Sequence, residues 1–297
     1  MRILKTLTAI LLLGTLAHAL AAVTVAGAQG QAGTEDLLMR IGERVAELYE
    51  RAKHVICIET STVQAVDSSY SPTGFARTVE SELYLEADSS RANGEASIVR
   101  KIRKVNGRAP REKDRKDRAG CTDPVGLSTE PLAFLLTPRR SEYQFRPAGT
   151  TRDGSSTVLL IDFASVDRRS RPGLIEDPAG HEDCFDWSGH IATRGRIWVD
   201  AATYEVLQVE QGLMGPVDVK VPVLIQRRHR LDNHVVIVRD DVSIRYKRVV
   251  FSGPDEVMLL PESIHSLIVV RGGLQSTRRH QRFSDYKRFL TGGRVLP

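Results

Sequence analysis

A chain of 297 residues, 41% hydrophobic and 27% charged, has enough apolar side chains for a sizeable core, which excludes an intrinsically disordered protein. Its net charge of +5 is small, and only 6% of its residues are aromatic. Both argue against nucleic acid, although "RRHR" (227–230) and "RRHQR" (278–282) are locally basic.

The N-terminus places Arg2 and Lys5 before an uncharged apolar run from Thr6 to Ala28. A basic start, an apolar centre and a small-residue exit are the layout of a secretory signal peptide, residues 1–28. Two A-x-A sites are present, Ala17-His18-Ala19 and Ala26-Gly27-Ala28, and the polar "QGQAGTED" after the second favours cleavage there. The alternative is an uncleaved membrane anchor, for which Gly14, His18 and the many Ala make a poor span. Loss of Arg2 and Lys5 lowers the positive charge by two, and no second run of spanning length follows. The expected location is the periplasm or the extracellular medium, with residues 29–297 forming one domain.

An amphipathic helix follows. Thr34 caps it, Glu35 and Asp36 occupy its first turn, and Arg51 and Lys53 its last. Leu38, Ile41, Val45, Leu48 and Ala52 form one apolar stripe at helical spacing. Strands are expected at 54–66, 76–87 and 95–106, rich in β-branched residues and joined by Gly, Pro or Ser turns. A charged loop, "RAPREKDRKDRAGCTDP", lies within 107–127. A short second helix is expected at 128–136, where Ser128, Glu130 and Pro131 open the run "LAFLL". Further strands are expected at 142–148, 156–164, 194–200, 204–211, 222–231, 234–251, 257–271 and 277–289, interrupted by a long polar loop at 165–193 that reads as a structured excursion pinned by its cysteine.

Strands in succession without intervening helices predict a mainly β (α+β) fold, a large antiparallel meander. A twisted sheet of this length curls, and the helices cover its concave face. Trp198 has the opposite parity to Ile197 and Val199 on its strand, and is expected to be buried on the side facing the helices.

Three cysteines bear on the irregular segments. Cys121 and Cys184 fall in the two loops and form the expected disulfide of an oxidising compartment, while Cys57 sits in a strand as a small hydrophobe. His181, Glu182, Asp183, Cys184, Asp186 and His190 are dense in possible metal ligands, but their spacing fits no standard zinc pattern. There is no H-E-x-x-H, C-x-x-C, G-x-S-x-G, P-loop or G-x-G-x-x-G motif, so no metal, cofactor or catalytic residue is nominated.

The hairpin "GRIWVDAATYEVLQVEQ" (195–211) carries Gly195, Ile197, Trp198, Val199, Asp200, Thr203, Val206 and Leu207. It resembles a hairpin of secreted bacterial half-barrel proteins, which are similar to the outer-membrane lipoprotein-sorting (LolA-like) carrier fold. The wider order also resembles such proteins: "VNGR" (105–108), "CTDP" (121–124), "EPLAFLL" (130–136), "DCF" (183–185), "SIRYKRVVF" (243–251), "LLPESI" (259–264) and "RFSDYKRF" (282–289). The resemblance implies an unclosed barrel whose helices enclose an apolar cavity that accepts acyl chains. It assigns no lining residue here. The function it implies is non-enzymatic binding or carriage of a lipid or a lipidated partner. The alternatives are a sensor or regulatory module on the same fold that contacts an envelope protein, and an enzyme of unidentified class.

Overall fold

The structure, a computed structural model, describes residues 33–52, 55–87, 96–115, 131–176, 185–252, 255–290 and 294–295. Helix α1 (33–52) realises the apolar stripe: Leu38, Ile41 and Val45 are buried, and Leu48 packs beside them. The rest is dominated by long strands. These are β1 (Val55–Val66), β2 (Pro72–Ala87), β3 (Ala96–Val105), β4 (Tyr143–Asp153), β5 (Ser156–Ser165), β8 (Thr193–Asp200), β9 (Val206–Leu213), β11 (His234–Ser252), β12 (Asp255–Arg271) and β13 (Thr277–Leu290). They form one antiparallel sheet in the order β3-β2-β1-β13-β12-β11-β9-β8-β5-β4. Strands β3 and β4 remain its two edges, so the barrel is not closed.

Directly opposed residues in an antiparallel ladder share a face. One such row crosses nine strands: Ile161, Ile197, Val209, Ile244, Ile264, Gln281, Ser61, Val79 and Val105. None is more than 4% exposed. Ile41 and Val45 of α1 and the segment Leu132–Leu135 share a core with the apolar members of this row from β5 to β12, so the helix lies across that face. The fit is close at Gly42, where a Cβ would stand 2.9 Å from the Leu135 carbonyl oxygen. The Leu132 N–H donates to the Tyr49 hydroxyl at 2.7 Å, fixing the segment to the helix.

Towards β1 the same face turns polar. Glu59 is fully buried, accepting from Arg100 Nε at 2.6 Å and from Gln281 Nε2 at 2.5 Å. A carboxylate can be buried this way only because the guanidinium balances its charge.

Three expectations need correction. The run 222–231 is not a strand: α4 (Val223–His229) lies there, and the strand is β10 (Val217–Lys220) just before it. Pro222 cannot donate to a ladder; its carbonyl instead accepts from the Gln226 N–H and opens the helix. The stretch 165–193 is not a loop, because β6 (Arg171–Glu176) and β7 (Phe185–His190) form an antiparallel hairpin within it. Its apolar signal is carried by few residues, among them Leu174, Phe185 and Trp187, with polar neighbours between them. Trp198 faces away from the helices and is only half-buried, because the strand alternation that buries Ile197 and Val199 points it to the other face.

The second helix, expected at 128–136, is described from residue 131. It is a 3-10 turn (Ala133–Leu135) followed by α3 (Thr137–Arg140). In the charged segment 107–127, α2 (Glu112–Arg115) is described, and residues from 116 lie outside the described set.

Strands β6, β7 and β10 with α4 build a lobe at one end of the sheet. Strand β10 pairs with the start of β11 over four residues, and β6 joins β10 in parallel at Lys220 and Gly173. The lobe has its own core of Leu174, Val217, Val219, Ile225, Val235 and Ile237, among others.

Candidate binding groove

Next to the deep row runs a second one on the same face: Phe145, Phe163, Gly195, Gln211, Val242 and Ser266. Helix α1 does not seal this row. Its first two turns, at Thr34 and Leu38, and Arg140 of α3 instead form one wall of an open groove of about 1840 Å³. Small-molecule pockets usually occupy about 300–1000 Å³. The groove lies between the two cores, since Leu213 lines it and also packs in the lobe.

The floor is aromatic at one end. Phe163 lies 4.5 Å from Phe134, 6.0 Å from Tyr143 and 6.4 Å from Phe145, centroid to centroid. Gly195 makes this possible, because a Cβ there would come within 2.6 Å of the Phe163 ring and 2.0 Å of the Glu210 carbonyl oxygen. The ring covers the glycine on the neighbouring strand and shields its backbone. Towards β12 the floor is small and polar, with Gln211 and Ser266 either side of Val242.

Asp240 stands at the lobe end, opposite Ile268 on β12. Burial, and then the neighbouring Asp241, raise its carboxyl above the ordinary aspartate value. On the other face Asp162 accepts from Arg196 Nε at 2.6 Å, and that hydrogen bond holds its carboxyl below the ordinary range.

The turn of the 195–211 hairpin meets α1 at Arg40. Asp200 Oδ1 accepts from the N–H groups of Ala202 and Thr203 at 2.9 and 3.0 Å, and Tyr204 follows in the left-handed region at φ 61°. Arg40 of α1 lies 5.4 Å above the Tyr204 ring. Burial pushes the Asp200 carboxyl up, but the Thr203 and Ala202 hydrogen bonds and the charge of Arg248 outweigh it and leave it lowered.

The cysteines and nearby ligand types do not join this groove. Cys121 and Cys184 lie outside the described residues, as do His181, Glu182 and Asp183. Asp186 and His190 sit on β7, where His190 Nε2 is 2.9 Å from the Asp167 carbonyl oxygen. Cys57 is free and buried in β1, where burial and then Glu59 push its thiol up to about 12. Among the described residues no group of three or more His, Cys, Asp or Glu could hold a metal ion. The groove residues Tyr143, Phe145 and Phe163 went unread in the sequence; the alternating aromatics of "YQF" (143–145), repeated by Phe163 on the next strand, are their only signal.

Fold and site together define an unclosed antiparallel half-barrel with a helix across its concave face and an open groove beside it. No protein-family model and no curated protein matches the chain. Among solved structures it is similar to a DUF1329 family protein from Desulfovibrio piger, at 10% identity over 89% of this chain and 94% of that one, with a TM-score of 0.40. It is also similar to a LolA superfamily protein from Nitrosomonas europaea, at 9% identity over 86% and 93%, with a TM-score of 0.35. A third likeness is to a Vibrio parahaemolyticus domain described as an outer membrane lipoprotein-sorting protein, at 10% identity over 84% and 93%, with a TM-score of 0.31. The half-barrel is defined by its own strand order. Among the described residues no helix is long and apolar enough to cross a membrane.

Proposed function

We infer that this chain is a non-enzymatic binding or carrier protein for a lipid or a lipidated partner, and that the ligand's acyl part lies in the groove between the two cores. The observation that carries this reading is the half-buried row Phe145, Gly195, Gln211, Val242 and Ser266, which borders the groove beside a fully buried row and meets the core at Phe163. An acyl chain needs a concave apolar surface and no covalent chemistry, gaining about 0.8 kcal/mol for each methylene buried. The mixed floor suits an amphiphile, whose chain lies along the aromatic end while polar atoms meet Gln211 and Ser266.

The test is binding of a fluorescent fatty acid by the purified protein and by V242W, which fills the middle of the floor. The expected result is saturable binding, weakened by roughly tenfold or more in V242W while its thermal melting stays close to wild type. Equal binding by both proteins would remove the ligand from this groove.

The protein acts outside the cytoplasm, after removal of residues 1–28. N-terminal sequencing of exported material is expected to begin at Gln29, and retention of Met1 in a membrane fraction would identify an anchor instead. In that compartment Cys121 and Cys184 are joined. Non-reducing peptide mapping is expected to recover their linked peptide, and a cross-link to Cys57 would refute the pairing.

A further inference from the structure

Helix α4 begins after Pro222 and buries a single residue, Ile225, in the lobe. Its exposed face is assembled in two turns. Val223 and Leu224 come first, 57% and 76% exposed, and Arg227 and Arg228 follow four residues on from each. Arg230 ends the helix in the left-handed conformation, also exposed. The acidic side chain meeting this cluster is Glu176, which accepts from Arg228 at 2.7 Å and lies 3.1 Å from His229. Arg227 makes no hydrogen bond or ion pair among the described residues.

A third apolar side chain protrudes at the same end of the sheet. The β1–β2 turn reaches β11 there: Arg239, close to where β11 pairs with the lobe, lies 5.3 Å above the Tyr70 ring. A few residues further on, Phe75 is fully exposed. Isolated aliphatic residues on a surface are ordinary. Two of them leading a helix whose next turn is all basic, with an exposed phenylalanine at the same end, are not explained by packing.

We propose that this end of the half-barrel docks on an anionic lipid bilayer, with Val223 and Leu224 entering the headgroup boundary and Arg227, Arg228 and Arg230 meeting lipid phosphates. A bilayer fits this surface better than a folded partner does. A stable protein interface needs about 800 Å² from each side with an apolar centre, whereas two aliphatic side chains flanked by arginines offer far less. Interfacial helices need only a short apolar edge and basic residues to hold a negatively charged surface. The groove opens beside this lobe, so a docked protein would hold its binding site near the membrane. The docking itself does not depend on the groove's ligand.

The experiment is co-sedimentation of the purified protein with vesicles of phosphatidylcholine alone and of phosphatidylcholine mixed with phosphatidylglycerol. Wild type is expected to bind the mixed vesicles preferentially and to be released as salt is raised. The V223S/L224S protein is expected to partition about tenfold less, and R227E about fivefold less, on the mixed vesicles. Thermal melting and fatty-acid binding without vesicles, measured on the same proteins, separate loss of docking from misfolding and from failure of the groove assignment. Absence of vesicle binding by wild type would overturn the proposal, as would equal binding by wild type and V223S/L224S. A concentration-dependent dimer of wild type that V223S/L224S abolishes would also overturn it, assigning the face to a second copy of the chain.

Discussion

The core beneath α1 and the core of the lobe rest on the same two long strands, β11 and β12, yet they are held together differently. Beneath α1, opposed residues continue unbroken across nine strands, and a helix closes the row from above. In the lobe, apolar residues of three short strands and one short helix gather on the end of β11, joined to it by a four-residue ladder. A continuous ladder spreads the loss of one side chain over rigid neighbours. A small appended core can collapse around such a loss. The groove occurs where one regime gives way to the other, because neither α1 nor the lobe fully covers the row between them.

The largest effect is expected at the buried ion pair on the α1 side of the molecule. Glu59→Ala strands Arg100 and Gln281 in the interior and should lower stability by about 3–5 kcal/mol, read from equilibrium urea unfolding. A change under about 1 kcal/mol would mean that water reaches this part of the sheet.

The comparison itself is tested by two identical substitutions at fully buried isoleucines, Ile197 in the main core and Ile237 in the lobe. Ile197→Ala should cost about 4 kcal/mol and Ile237→Ala about 2–3 kcal/mol, because the penalty follows the cavity that the surroundings cannot fill. Equal losses would show that the lobe is as rigid as the main sheet.

A smaller effect is expected at Trp198. Being half-buried on the face away from the helices, Trp198→Ala should cost less than about 1.5 kcal/mol in the same assay, and a loss of 3 kcal/mol or more would mean that something covers that face.

The smallest concerns pH. The Asp200 carboxyl is lowered in the folded protein, so its contribution is complete above the unfolded aspartate value of about 3.9 and is lost as pH falls through the folded value. The stability difference between wild type and Asp200→Asn should therefore shrink in thermal melts taken below about pH 4. A difference that grows on acidification would contradict the hydrogen-bonded turn.

Legibility in the sequence followed the same division. The stripe from Leu38 to Ala52 gave α1, and the alternation in β1, β8, β9 and β11 gave the strands of the main sheet, because one face of each is buried over many residues. The lobe is not legible in this way: its sequence predicts a loop at 165–193 and a strand at 222–231. Its elements are four to seven residues long, too short for either period to declare itself. The parity of Trp198 was legible and its burial was not, because alternation assigns residues to two faces without saying which one the helices cover.

By itself, the sequence determined an antiparallel β fold with one amphipathic helix, since local periodicity and turn chemistry are properties of neighbouring residues. Tertiary structure alone decided that Phe163 lies over Gly195 and that a half-buried row remains between two cores. Each of these is a contact between strands or helices distant in the chain, and no local pattern records where a helix stops covering a sheet.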